Sequence, residues 1–166
     1  LGYQTASTLV NKDNKYVRAD HVVLGLERIL GPAANLSGEG FIKRYANYPV
    51  SLLDGISLAN KGADFEVLGN EAVSSIGTGR TYGAEVLYQQ KLQKRFYGIL
   101  SYTFFFSEFS GADGSGQYRP SVWDSRHLAS FTGGYKLGRN WEVSTRFRFA
   151  GSTPSVPTDQ AKTLQL

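Results

Sequence analysis

The sequence predicts an all-β chain folded as an antiparallel up-and-down meander of about six or seven strands, with one apolar and one polar face. Three observations predict it. Apolar side chains recur with a period of two rather than 3.6. Glycines at 25, 38, 40, 83, 98, 133 and 134 fall inside the same segments, where each costs a helix about 1 kcal/mol relative to alanine. The connections between segments alternate between short and long.

The elements follow in order. The first alternation sets Val22, Leu24 and Leu26 against Gly25 and Glu27; the second sets Gly38, Gly40 and Ile42 against Glu39, Phe41 and Lys43. Between Arg80 and Leu92, Tyr82, Ala84, Val86 and Tyr88 oppose Gly83, Glu85, Leu87 and Gln89. From Arg95 to Ser107, Phe96, Leu100, Tyr102, Phe104 and Phe106 oppose Ser101, Thr103 and Ser107, although Tyr97, Ile99 and Phe105 make that second face partly apolar. From Arg126 to Leu137, Ala129, Phe131, Tyr135 and Leu137 oppose Ser130, Thr132 and Lys136. Contrast is sharpest from Asn140 to Ala150, where Trp141, Val143, Thr145, Phe147 and Phe149 oppose Glu142, Ser144, Arg146 and Arg148. A further partial strand is expected near the start.

Short turns are expected at 31–36, 93–94 and 138–140, and long loops at 4–15, 47–79 and 108–123 and from Gly151 onward. In a meander every second connection returns to the same edge, so one end carries tight turns and the other elaborate loops. Spanning β-barrels of the outer-membrane type share this asymmetry. A spanning strand needs only about 9–11 residues with one apolar face, whereas no stretch here approaches the roughly 20 apolar residues of a spanning helix. Aromatic rings fall where a barrel places its girdles. Phe96, Tyr135 and Trp141 lie near the short turns, and Tyr82, Phe104, Phe106 and Phe149 toward the long loops, with Phe147 between them on the same outward parity. In that arrangement Glu27, Glu39, Lys43, Glu85, Gln89, Arg126, Glu142, Arg146 and Arg148 face the lumen, toward a solute path or a plug, and Tyr48, Phe65, Tyr118 and Trp123 offer rings in the loops for recognition.

The 166 residues make at most one domain's worth of chain, and ten Tyr with ten Phe argue against disorder. The absence of cysteine excludes disulfides, thiolate metal sites and a cysteine nucleophile. His21 and His127 show no metal-binding spacing, and no cofactor motif is present. Asp124 and His127 lack a serine in a strand-to-helix elbow, so no enzyme is expected; Asp124 and Arg126 read as a charge-assisted junction. Gly77 to Gly83 leads into a strand rather than a helix and makes no phosphate cradle, and Asp113-Gly114-Ser115-Gly116 offers one carboxylate where calcium needs six to eight oxygens. A net charge of +4, with Lys91, Lys94 and Arg95 at a short turn, fits the edge of a membrane better than a nucleic-acid partner.

Several segments resemble one family in order and spacing. Gly79-Arg80-Thr81-Tyr82-Gly83-Ala84-Glu85 followed by Gln89-Gln90-Lys91-Leu92 is similar to a strand of the large TonB-dependent outer-membrane receptors. So are Tyr97 to Thr103 with Ser107-Glu108, Trp123-Asp124-Ser125-Arg126-His127, Gly134 to Leu137, Asn140-Trp141 and Gly151-Ser152-Thr153-Pro154. Upstream, Asp20 to Glu27 and Lys43-Arg44-Tyr45 resemble the preceding strands. The resemblance implies a sector of a roughly 22-stranded barrel in the bacterial outer membrane. It also implies a plug domain, coupling through the plug to a periplasmic energy-transducing partner, and import of a siderophore, glycan or similar solute, with a substrate-capturing lipoprotein as a further partner. Plug, coupling segment and terminal aromatic residue are not in the sequence, so it reads as an excerpt of such a receptor, residues 1–166 being a partial barrel domain that more strands must close. The alternative is a soluble or secreted antiparallel β domain that binds carbohydrate or protein through its long loops.

Overall fold

A computed structural model of the chain describes residues 10–61, 71–112 and 116–154. It contains β1 (Arg18–Gly31), β2 (Ala34–Ser51), β3 (Val73–Gln93), β4 (Phe96–Ser110), β5 (Tyr118–Pro120), β6 (His127–Gly138) and β7 (Trp141–Ala150), and no helix among the described residues. All strands join one antiparallel sheet in the order β1-β2-β3-β4-β6-β7, with β5 paired to the far end of β4. The all-β antiparallel meander expected from the alternation is what forms. The short extra strand among the described residues is β5, inside a long connection; the partial strand expected near the start falls largely on residues 1–9, outside the described residues.

The tight turns are sharper than the sequence implies. Pro32-Ala33 joins β1 to β2 and Lys94-Arg95 joins β3 to β4. Arg139 and Asn140, both at positive φ (49° and 66°), join β6 to β7, as a two-residue hairpin matched to strand twist requires. The long connections shrink because their strands run on. β2 continues through Ser51 and β3 begins at Val73, so 47–51 and 73–79 are strand rather than loop, and β4 takes in 108–110. Pairing survives there through irregularities between Tyr45 and Tyr48 and between Tyr48 and Val50, with Asn47 at φ 58° absorbing the break.

Register fixes the faces, because directly paired residues point the same way. One face carries the rows Val22–Ile42–Tyr82–Phe106, Leu26–Gly38–Val86–Tyr102–Ala129–Phe149 and Leu36–Tyr88–Leu100–Phe131–Phe147, ending near Phe96–Tyr135–Val143. The described residues pack no second layer against it: Leu24 and Leu26 are 77% and 81% exposed and Trp141 is 73% exposed. Its rings pack on each other, Tyr82 stacked on Phe106 at 5.1 Å and Phe104 edge-on to Phe106 at 5.1 Å. Polar atoms on this face also satisfy one another, Tyr102 with His127 Nδ1 at 2.7 Å and Tyr88 with Gln90 at 2.9 Å. Among described hydrophobic residues only Val50, Ala59 and Phe109 are buried, all at the long-loop end.

Candidate functional site

The polar face is the first half of the candidate site. Its rows are Glu27–Ser37–Leu87–Ser101–Ser130–Arg148, Gly25–Glu39–Glu85–Thr103–Leu128 and Asn35–Gln89–Ile99–Thr132–Arg146. The structure thus brings Glu27, Glu39, Lys43, Glu85, Gln89, Glu142, Arg146 and Arg148 to one face by register and alternation. Glu39 and Glu85 stand directly opposite each other, an arrangement that like charges resist. They splay apart. Glu39 leans over bare Gly25, its Cγ 3.1 Å from where a Cβ would sit, while Glu85 accepts a hydrogen bond from Thr103 at 3.0 Å. Glu27 accepts one from Asn35 Nδ2 at 2.7 Å, and Ser101 meets Ser130 at 2.8 Å. At the short-turn end the Tyr97 ring lies across bare Gly134 and its hydroxyl donates to Glu142.

Arg126 departs from the expected face. Its φ of 58° interrupts the alternation just before β6, its Nε donates to Asp124 Oδ2 at 3.2 Å, and its guanidinium carbon lies 4.3 Å from the ring centre of Phe106, an apolar-face residue. Asp124 is 1% exposed and its Oδ1 has no hydrogen-bond partner. The pair therefore fastens a loop-to-strand junction, and Arg126 does not join the polar face on which the alternation places it.

The second half of the site is a cap built where the long connections fold over the end of the polar face. Phe109, 2% exposed, lies between Tyr48 (4.5 Å), Tyr45 (5.4 Å) and Trp123 (6.1 Å). Gly79 makes room for it: a Cβ there would meet the ring at 2.3 Å. Burial, then the neighbouring Tyr45, pushes the Tyr48 phenol above its ordinary value. Below the rings, Ser107 Oγ receives hydrogen bonds from Thr81 at 3.2 Å, Ser121 at 3.0 Å and Trp123 Nε1 at 3.2 Å. Asn60 Nδ2 donates to the carbonyls of Arg119 (3.0 Å) and Pro120 (2.8 Å), and Val122 N–H to Ala59 (3.1 Å), stitching the two connections together.

An ion triad holds the outer connection. Lys61 Nζ lies 2.7 Å from Glu71 and 3.0 Å from Asp54, and Ser51 Oγ donates to Glu71. The hydrogen bond from Lys61, then that from Ser51, holds the Glu71 carboxyl below the usual range. The Ile56 amide and then Lys61 do the same for Asp54 against the opposing effect of burial. Burial works to lower Lys61, but hydrogen bonds to Glu71 and Asp54 outweigh it and raise the ammonium above its ordinary value.

Of the four loop rings named from sequence, Tyr48 and Trp123 meet around Phe109. Tyr118 lies elsewhere, under the Arg80 guanidinium at 4.4 Å and 3.1 Å from Thr78 Oγ1. Phe65 lies outside the described residues. Sequence reasoning missed Tyr45 and Phe109 as partners. The parity of β4 carried through 105, 107 and 109 marks Phe109 for the polar face, and Gly79 opposite it is the second sign. No group of metal-ligating side chains occurs among the described residues. No protein-family model matches the chain, and no curated protein or solved structure matches it either.

Proposed function

We propose that this chain is a sector of the wall and outer loops of an outer-membrane transport barrel of the TonB-dependent receptor kind. Its apolar face meets lipid and its polar face meets the solute path or a plug. The observation that carries the reading is the outward band of exposed apolar side chains. From Phe106 to Phe96 the band covers ten residue steps along β4, about 34 Å of strand, which projects to roughly 24–28 Å at the 35–45° tilt usual for spanning barrels. That matches the roughly 25 Å apolar belt of such barrels. Aromatic rings bound it at both ends, and charge begins directly beyond Tyr82 and Phe106. The polar face, lined by carboxylates, arginines and hydroxyls, supplies the wet side; the cap around Phe109 supplies the outer rim on which solute capture would act. Motif likeness supports the narrower family reading. On that reading the parent protein imports its solute through coupling to a periplasmic partner, and the residues here act by binding and guiding rather than by bond chemistry.

The two tryptophans allow a direct test. The whole chain is reconstituted in neutral phosphatidylcholine vesicles with brominated acyl chains, as Trp123→Phe and as Trp141→Phe. Trp141, exposed at the short-turn girdle, is expected to be strongly quenched, and Trp123, in the cap, to be spared. A water-soluble monomer that ignores vesicles, or quenching of Trp123 in preference to Trp141, would overturn the wall reading in favour of a soluble β domain. Energy-dependent uptake by the complete coding sequence, lost on removing its periplasmic coupling partner, tests the family assignment separately.

A further inference from the structure

Above the outward apolar band the cross-strand partners change abruptly to charge. Directly beyond Val22–Ile42–Tyr82–Phe106 comes the row Asp20–Arg44–Arg80–Glu108, on the same face by register. Arg18 closes on Asp20 at 3.1 Å, and Arg80 Nε donates to Glu108 at 2.8 Å. The Arg80 guanidinium carbon sits 4.4 Å from the Tyr118 ring centre and 5.7 Å from that of Tyr82. Both acids of the row are thereby engaged. Arg44 is exposed and has no ion pair among the described residues; it stands between Asp20, which is taken by Arg18, and Arg80, where Cβ atoms are about 5 Å apart and like charges repel. A second feature lies just below this pair. Because Gly40 and Ala84 are small, the apolar face dips into an open depression of about 600 Å³, bounded by Leu24, Ile42, Tyr82 and Phe104.

We propose that Arg44 and Arg80 hold the phosphate of an anionic lipid headgroup, with an acyl chain of the same lipid lying in the depression over Gly40 and Ala84. The inference rests on the membrane-wall reading above. A phosphate placed between the two guanidinium groups turns their repulsion into two charge-assisted contacts. Glu108 and Tyr118 fix the Arg80 fork in advance, so little ordering is needed when the lipid arrives. The row sits one outward-facing position beyond the aromatic ring pair, the depth at which headgroups begin. Head site and tail groove are adjacent on one face, a juxtaposition that free phosphate would not use.

The test measures partition of the whole chain between buffer and vesicles, with phosphatidylcholine alone or with added phosphatidylglycerol. Neutral vesicles are expected to take up the chain, and phosphatidylglycerol to raise its affinity. Arg44→Gln and Arg80→Gln should each reduce that gain about fivefold, Gly40→Leu should reduce it by filling the tail groove, and Arg146→Gln, on the polar face, should leave it intact. A gain that survives both arginine substitutions overturns the proposal, as does an equal loss in Arg146→Gln, which would mean diffuse attraction only. Abolition of the gain by inorganic phosphate, but not by chloride at matched ionic strength, would move the site to free phosphate and overturn the lipid assignment. Failure to enter neutral vesicles would instead sink the wall reading itself.

Discussion

Replacing Gly79 with alanine would place a Cβ 2.3 Å from Cε1 and 2.4 Å from Cδ1 of Phe109, and the three nearest atoms all belong to that one ring. Overpacking of this kind costs about 1–3 kcal/mol. Phe109→Ala removes the ring itself, and with it the packing against Tyr48, Tyr45 and Trp123, at about 3–5 kcal/mol for a buried phenylalanine. The two effects must couple. In the Phe109→Ala background the Cβ at position 79 meets no ring, so the overpacking cost disappears and the double variant resembles Phe109→Ala alone. The reporters are amides whose hydrogen bonds close the cap: Ser121 to Ser107 at 2.7 Å, Val122 to Ala59 at 3.1 Å and Leu58 to Pro49 at 3.1 Å. Hydrogen exchange of the whole chain in neutral vesicles should show these amides opening about 5- to 150-fold faster in Gly79→Ala. Amides of β6 and β7, far from the ring, should be unchanged. If Gly79→Ala accelerates the cap amides by the same factor with and without Phe109, the ring is not what the glycine accommodates and the packing account fails.

Three further outcomes follow from the geometry. Arg126→Ala leaves the buried Asp124 carboxylate with no cation among the described residues and should cost about 1–3 kcal/mol, whereas Asp124→Asn, which removes the buried charge as well, should cost less; equal losses in denaturant melts would contradict this. Gly83→Ala drives a Cβ to 2.3 Å from the Phe104 carbonyl oxygen and should weaken β3–β4 pairing, while Gly40→Ala meets nothing within 4 Å and should be tolerated, a contrast that thermal melts in vesicles will show or deny. The triad gives a pH window. The carboxyls of Glu71 and Asp54 are held low, so their contribution is present above the ordinary carboxylate range and fades as pH falls through their folded values; Lys61 is raised, so its contribution fades only as pH rises through its folded value. Acid should therefore lower the protection factors of the Gly55 and Ile56 amides, taken relative to the intrinsic exchange rate at each pH, and Lys61→Gln should flatten that dependence.

Strand identity and facing were legible wherever a full alternation survives, as in Trp141 to Phe149, because a period of two leaves no helical solution and fixes which side each residue takes. Strand ends were not. Asn47-Tyr48-Pro49 and Ser74 to Gly79 have the composition of a loop, yet they stay paired across the sheet, with register shifts taking up the mismatch around Asn47. Arg126 escapes the pattern for a related reason: alternation assumes extended backbone, and one residue at positive φ turns its side chain to the other face. The cap is a long-range object. Phe109 meets Tyr45, Tyr48 and Trp123 only because two connections close over the sheet, and no local window holds that information. Part of the signal was nonetheless there, since a bare glycine facing a large ring across two strands marks where the ring lies down.

Glu39 and Glu85 lean away from each other on β2 and β3, with Glu27 beside them on β1, while Arg146 and Arg148 project from β7 at the far side of the same surface. The acids of this surface thus gather on the first three strands, with Lys43 among them, and its two guanidinium groups on the last, with Glu142 below them at the short turn. On the solute-path reading proposed above, a dipolar molecule lying across the sheet would meet carboxylates mainly at one side and guanidinium groups mainly at the other, so the surface would favour one orientation across the strands.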